Sequence, residues 1–498
     1  MDHRLHAADA LLGRTRSCRR LSPLTVVCLV LAIVIMASLS SPVLAGWREE
    51  IGLARLQARL GESMPTGESI GVSQVEMSVD DGDYIPDRRN AYFAGRSINV
   101  RSGRGGFSSH ATIVGQHYFG VGSSPACGIR SANIYEANAW VNQILRVSSN
   151  AEPVFETDRV QNHSWVGTLG SVAMDTDALR RVDYMVQRDG VLVAAGLNNG
   201  SDTAVPRLVC SAYNVVSVGL TNANASRGAT TIDGGGRVKP DLVAPLSATS
   251  WATPVVAASG ALLLEGCEAM KALADLPVLQ QRPARTLLVK ALLMGGATKD
   301  EWPDWRKGFA CPCTDGSVPL DYRYGAGELN IDNSYRILAA GECNASESGT
   351  VPLTGWDYEA LPAGGSRRYY FEIPRGCQAR QISILAVWNR RVEVASSLPL
   401  RFSSVLPNID LRLYAVNGST RQALVDASIS RVDNVEHIYL RGLAPGRYEL
   451  EVLTDRASEY CLTWGTDLVS GLRVRDDRVE KTVAAASMSP VEAQADGG

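Results

Sequence analysis

The chain has 498 residues, 45% of them hydrophobic and 20% charged, with a formal net charge of −3. Such a length predicts more than one domain, and the apolar share supports a sizeable buried core. The small, well-mixed charge gives no electrostatic case for nucleic acid or an anionic membrane as partner.

The first 45 residues read as an export signal. Arginines between positions 14 and 20 precede an apolar run at 24–39, and Val43 and Ala45 are small residues of the kind found before a cleavage point. The run is shorter than the ~20 residues of a spanning helix. A cleaved signal peptide over 1–45 is therefore expected, with an uncleaved inner-membrane anchor as the rival. The reading predicts a bacterial protein that is secreted, periplasmic or held at the cell envelope, with no stable membrane span after cleavage. Cys18 and Cys28 leave with the signal, while Cys127, Cys210, Cys267, Cys311, Cys313, Cys343, Cys377 and Cys461 remain. An even number in an oxidising compartment is compatible with disulfides. Cys377 and Cys461 are expected to pair, being the two in the C-terminal segment.

Residues 46–65 read as a short helix, at 49–60, and a linker. Strand-like runs then follow at 70–75, 132–135, 160–164, 191–195 and 215–218. They alternate with helical patterns at 110–118, 176–188, 253–265 and 284–294. Alternation of this kind predicts an α/β domain over 66–342, a mostly parallel sheet flanked by helices. The unbroken apolar run from Val191 to Ala195 suits a strand buried on both faces. The pattern changes after about 345. Ile409, Leu411 and Leu413 alternate with Asp410 and Arg412, Tyr448, Leu450 and Val452 alternate with charged residues, and Pro445-Gly446 supplies a turn. An all-β sandwich over 350–470 is expected, followed by a disordered tail over 471–498.

Four histidines follow the signal: His110, His117, His163 and His437. His110 lies in Ser109-His110-Ala111-Thr112-Ile113-Val114-Gly115, after the glycine-rich stretch 103–106 and at a predicted helix start. Ser250 lies in Ala248-Thr249-Ser250-Trp251-Ala252-Thr253-Pro254, at the mouth of an apolar helix. There a hydroxyl is exposed where the chain turns, and unpaired first-turn N–H groups can hold a developing oxyanion. Pro254 is expected to be tolerated because it falls in that first turn.

These motifs resemble those of the subtilisin-like serine peptidases. The family carries Gly-Thr-Ser-x-Ala-x-Pro at its nucleophile, matched here by Thr249, Ser250, Ala252 and Pro254. Its histidine motif, His-Gly-Thr-x-Val-x-Gly, is matched by His110, Thr112 and Val114, with Gly115 one place early. Asn162-His163-Ser164-Trp165-Val166-Gly167 is similar to the family's substrate-binding strand, which makes Ser164, Trp165, Val166 and Gly167 candidate substrate contacts. Ala194-Ala195-Gly196-Leu197-Asn198-Asn199-Gly200 resembles its oxyanion segment with one residue inserted, and counting back from Gly200 implies Asn198 as the donor. The family's triad acid is an aspartate ending the first core strand, where this chain has Glu76. Asp80, Asp81 and Asp83 are the alternative acids. Ala248 and Ala111 stand where the family has glycine. Gly46 to Ser69 is too short to hold the family's usual folding prodomain.

The resemblance implies a subtilisin-like α/β fold and a secreted endopeptidase acting on polypeptides through Ser250, His110 and Glu76, as a monomer. No catalytic metal or cofactor is implied. Structural calcium in the loop Asp80-Asp81-Gly82-Asp83 stands beside a plain solvated turn. A catalytically silent relative that binds peptides or scaffolds the envelope is the second reading, motivated by Glu76, Ala248 and Ala111. His117 falls on the same helical face as His110, so a packed role stands beside a metal pair. Trp165 and Trp251 are expected to flank the cleft or to fill the core.

Overall fold

The computed structural model describes residues 46–78, 82–270, 276–308 and 318–470. The expected signal peptide (1–45), the expected tail (471–498), Asp80, Asp81, Cys311 and Cys313 lie outside the described residues.

Seven parallel strands form the central sheet: β1 (Val72–Glu76), β2 (Ser97–Val100), β3 (Ser131–Glu136), β4 (Val160–His163), β5 (Leu192–Gly196), β6 (Val216–Leu220) and β7 (Leu242–Ala244). Their spatial order is β7-β6-β5-β4-β1-β3-β2. Every residue of β1, β5 and β6 is buried, which is the burial expected of strands covered by helices on both faces. Chain order reverses around β1, so the crevice at the carboxyl ends of β1, β4 and β5 is where such a sheet collects its functional groups.

The helices pack as their sequences require. α1 (Leu53–Leu60) turns Leu53 and Leu56 inward beside Ile51. It is tied by Arg59 to Asp332, a contact of 2.7 Å, at the start of the last helix. α2 (Ser109–Phe119) is capped by Ser108, whose Oγ accepts from Ala111 N. α3 (Val172–Asp189) ends at Gly190 in the left-handed conformation that glycine adopts without a Cβ clash. α4 (Thr249–Ala269) is apolar nearly all round and is the buried central helix. α5 (Arg282–Gly295) and α6 (Ile331–Ala340) complete the layer. None of the described helices is long and apolar enough to cross a membrane.

Between residues 350 and 470 the structure is all β. One four-stranded antiparallel sheet has the order β8 (Thr354–Leu361), β17 (Ser458–Ser470), β10 (Cys377–Val387), β15 (Val435–Leu443). The other is β9 (Ser366–Ile373), β16 (Gly446–Thr454), β13 (Ile409–Asn417), β14 (Thr420–Ser428). A hairpin, β11 (Arg391–Ser397) and β12 (Leu400–Val405), lies against α3. Ile384, Leu411, Leu450 and Trp464 fill the core of this part. The alternation read at 409–413 and 448–452 thus marks inward residues of β13 and β16.

The expected Cys377–Cys461 disulfide does not form. β10 and β17 run antiparallel, and their register pairs Cys377 with Ser470 and Cys461 with Val387. The two cysteines sit at opposite ends of a long strand pair, far beyond the ~7 Å Cα limit of a disulfide. All six described cysteines are free.

The β sheets are not a loosely hung appendage. Leu385, Val387 and Val435 join the same apolar core as α5 and the parallel sheet. Arg390, between β10 and β11, is 3% exposed, and its guanidinium reaches Asp183 of α3 at 2.5 Å and Asp233 at 2.6 Å. Asn214 accepts from Arg390 N at 2.9 Å and donates to Arg390 O at 3.0 Å. Removing one member of a buried pair strands the other charge, at a cost of about 3–5 kcal/mol. Arg390→Met should therefore lower the denaturant midpoint of the whole chain in a single transition. An unchanged midpoint, or separate transitions for the two halves, would show that this contact does not join them.

Candidate active site

Three chain segments converge at the carboxyl edge of the sheet. Glu76 is the last residue of β1 and is 1% exposed. His110 is the second residue of α2, and its Nδ1 lies 2.8 Å from Glu76 Oε2. With the carboxylate ionised, Nδ1 is the donor, which leaves Nε2 as the acceptor. α2 packs against α4, whose second residue is Ser250. The Trp251 ring centroid is 5.2 Å from that of His110, so the indole next to the serine shields the imidazole. Ser250 Oγ makes no hydrogen bond to His110 in this structure; such contacts are commonly long in the free enzyme and tighten on substrate.

The electrostatics single out one histidine. Burial pushes His163 down to about 3, and burial with the Arg48 charge pushes His117 down to about 4. Burial also drives His437 well below its ordinary value. At His110 burial would lower the pKa, yet the Glu76 hydrogen bond and charge outweigh it and the net shift is upward. Glu76 itself is raised, because burial outweighs the bonds from His110 and Gln74. His117 packs edge-on against Trp47, ring centroids 5.8 Å apart, and belongs to no metal-binding group among the described residues.

The head of α4 is built by its neighbours. Ala248 at the N-cap has no side-chain acceptor to offer, and Asn199 takes that role from just beyond β5. Its Oδ1 accepts from Thr249 N at 3.0 Å and from Thr249 Oγ1 at 3.2 Å. The Ser250 N–H, one residue on, has no acceptor within the helix. Pro254 is not in the first turn; it is the sixth residue of α4 and removes the N–H that would bond the Ser250 carbonyl. Ser164 Oγ donates to that carbonyl instead, at 3.1 Å. One hydroxyl thus repairs what the proline breaks, and it ties the strand beyond β4 to the head of α4.

The other residues singled out by sequence fall as follows. Asn198 is fixed through its backbone, its N–H donating to Ser226 Oγ at 3.0 Å and its carbonyl accepting from Ser226 N at 2.8 Å. It is Asn199, not Asn198, whose amide is anchored at the serine helix. Ser164 and Trp165 are buried, while Val166 is 36% exposed and Gly167 is bridged to Leu208. Trp165 and His163 pack together beneath this strand, ring centroids 5.9 Å apart. Sequence reasoning also passed over Gln74, two residues before Glu76 and fully buried. A polar residue in a fully buried strand, two places before Glu76 and so on its face, was the signal for it.

Residues 136–327 match the model of the subtilase family, a span that contains Asn198, Asn199 and Ser250 and begins after Glu76 and His110. No curated protein matches significantly. Among solved structures, a protease from Pseudoalteromonas arctica is 14% identical with a TM-score of 0.35, over 59% of this chain and 96% of that one. Fervidolysin from Fervidobacterium pennivorans, a keratinolytic enzyme related to subtilisin, is 13% identical with a TM-score of 0.36, over 84% and 76%. Tripeptidyl peptidase 2 is 11% identical with a TM-score of 0.29, over 72% and 40%. Residues 136–327 thus carry a similarity to the subtilase family, whose members are serine peptidases.

Proposed function

We propose that this protein is an exported endopeptidase that cleaves polypeptides through an acyl-enzyme on Ser250, with His110 as base and Glu76 as the orienting acid. The observation that carries the reading is the buried Glu76 carboxylate 2.8 Å from His110 Nδ1, on a helix packed against the one Ser250 heads. Nε2 takes the Ser250 proton as Oγ attacks the scissile carbonyl. The oxyanion is met by the Ser250 N–H and by the Asn199 amide nitrogen, whose own oxygen is fixed on Thr249. His110 then gives its proton to the leaving amine, and water repeats the sequence on the acyl-enzyme. Glu76 stays ionised throughout and supports the imidazolium. Val166 and Gly167, on the accessible part of their strand, would pair with the substrate backbone by strand addition.

A fluorophosphonate probe tests this directly. Labelling at Ser250 supports the enzyme; a folded protein that does not label is the silent peptide-binding relative. The oxyanion assignment has its own test. Asn199→Ala should lower kcat by about 10²–10³ with little change in KM, and Asn198→Ala should cost far less. The reverse ranking in steady-state assays would return the donor role to Asn198.

A further inference from the structure

Gln74 and Glu76 stand two residues apart on β1, so their side chains leave the strand on one face, beneath the first turns of α2. Gln74 is fully buried. Its Nε2 donates to Glu76 Oε1 at 2.9 Å and to the Ala111 carbonyl at 2.9 Å. An amide nitrogen has two hydrogens, and both are in use. The two oxygens of Glu76 therefore have separate partners: Oε2 meets His110, and Oε1 is held from behind. The second acceptor of Gln74 belongs to the residue that follows His110. One side chain thus ties the strand of the acid to the helix of the base.

The helix is shaped for this contact. Gly115 lies over Gln74, and a Cβ there would come within 3.1 Å of Gln74 Oε1 and 3.0 Å of the Phe119 ring. A glycine at this point lets α2 settle onto the amide. It accounts for the glycine standing one place early in the histidine motif. The need for the contact comes from the acid itself. A glutamate has one more rotatable bond than an aspartate between backbone and carboxylate, so a single hydrogen bond to His110 leaves its plane poorly fixed.

We propose that Gln74 is a positioning residue of the triad, clamping the longer acid Glu76 at the angle His110 requires. The proposal rests on the serine-peptidase reading above. Gln74 touches neither substrate nor reacting atoms; it acts through Glu76.

The test is Gln74→Met, close in volume and without the amide, made in the wild-type and in the Glu76→Gln backgrounds. In the wild-type background kcat on a fluorogenic peptide should fall about 10- to 100-fold, the value of a hydrogen bond to a charged group. KM should hold, and the melting temperature should stay within a few degrees. In the Glu76→Gln background the same change should cost less than about 2-fold, since the carboxylate through which Gln74 acts is gone. Equal losses in both backgrounds, or a loss confined to KM, would overturn the proposal. A readout independent of turnover separates this from failure of the peptidase reading. The His110 Nδ1–H proton should give a sharp downfield resonance in the wild type and an exchange-broadened one in Gln74→Met. An identical resonance in the two overturns the clamp, whereas a wild type that resists the fluorophosphonate probe overturns the peptidase reading alone.

Discussion

Ser250→Ala is expected to reduce kcat/KM by about 10⁶, the scale on which removing the nucleophile of a serine-peptidase triad acts. It should also abolish labelling by a fluorophosphonate. The effect should be clean because little of the local structure depends on the hydroxyl. Ser164 bonds the Ser250 carbonyl, and Asn199 caps Thr249. Both contacts survive in alanine, a strong helix former. The melting temperature should therefore stay within about 2 °C. A casein digest that proceeds equally in wild type and variant would remove Ser250 from the reaction. Residual hydrolysis above the water rate is expected even in the variant, because the oxyanion donors remain in place.

What the sequence revealed of this site follows from how local each signal is. His110 and Ser250 sit at helix starts inside short continuous motifs, and both were legible without coordinates. Glu76 was legible as the end of the first strand and, through the resemblance, as the acid for His110, with the loop aspartates as alternatives; its contact with His110 Nδ1 at 2.8 Å is what the fold adds. The contact of Asn199 with Thr249 was hidden by one inserted residue. Counting along the chain favoured Asn198, and only the approach of the end of β5 to the head of α4 decides which amide meets Thr249. Pro254 misled for a related reason, because the Ser250 carbonyl it leaves open is met by Ser164, just beyond β4 and 86 residues from Ser250 in the chain. The α/β alternation placed five of the seven parallel strands, but β7 has three residues and lies between two prolines, too short to show a period. Neither the Arg390–Asp183 pair, 207 residues apart, nor the separation of Cys377 from Cys461 leaves any trace in spacing. Both are properties of register and packing.

Glu76→Gln keeps the shape of the acid and removes its charge, and a loss of about 10⁴ in kcat is expected. The pH profile carries the sharper information. Activity needs neutral His110, so in the wild type it falls as pH drops through a histidine pKa held above the ordinary 6.5. Burial alone would push that pKa down; the hydrogen bond and charge of Glu76 push it up and prevail. With glutamine at the position only burial remains. The acid limb of the profile should then move to lower pH, below 6.5, while the plateau collapses. Glu76→Asp separates charge from reach. It keeps the carboxylate but withdraws it by one methylene from both His110 and Gln74, so the limb should stay above 6.5 while kcat falls through a lengthened contact. Full activity with an unmoved limb in Glu76→Gln would mean that another carboxylate orients the imidazole. Among the described residues Glu76 is the carboxylate within hydrogen-bonding distance of His110 Nδ1, so that outcome would overturn its role as the orienting acid.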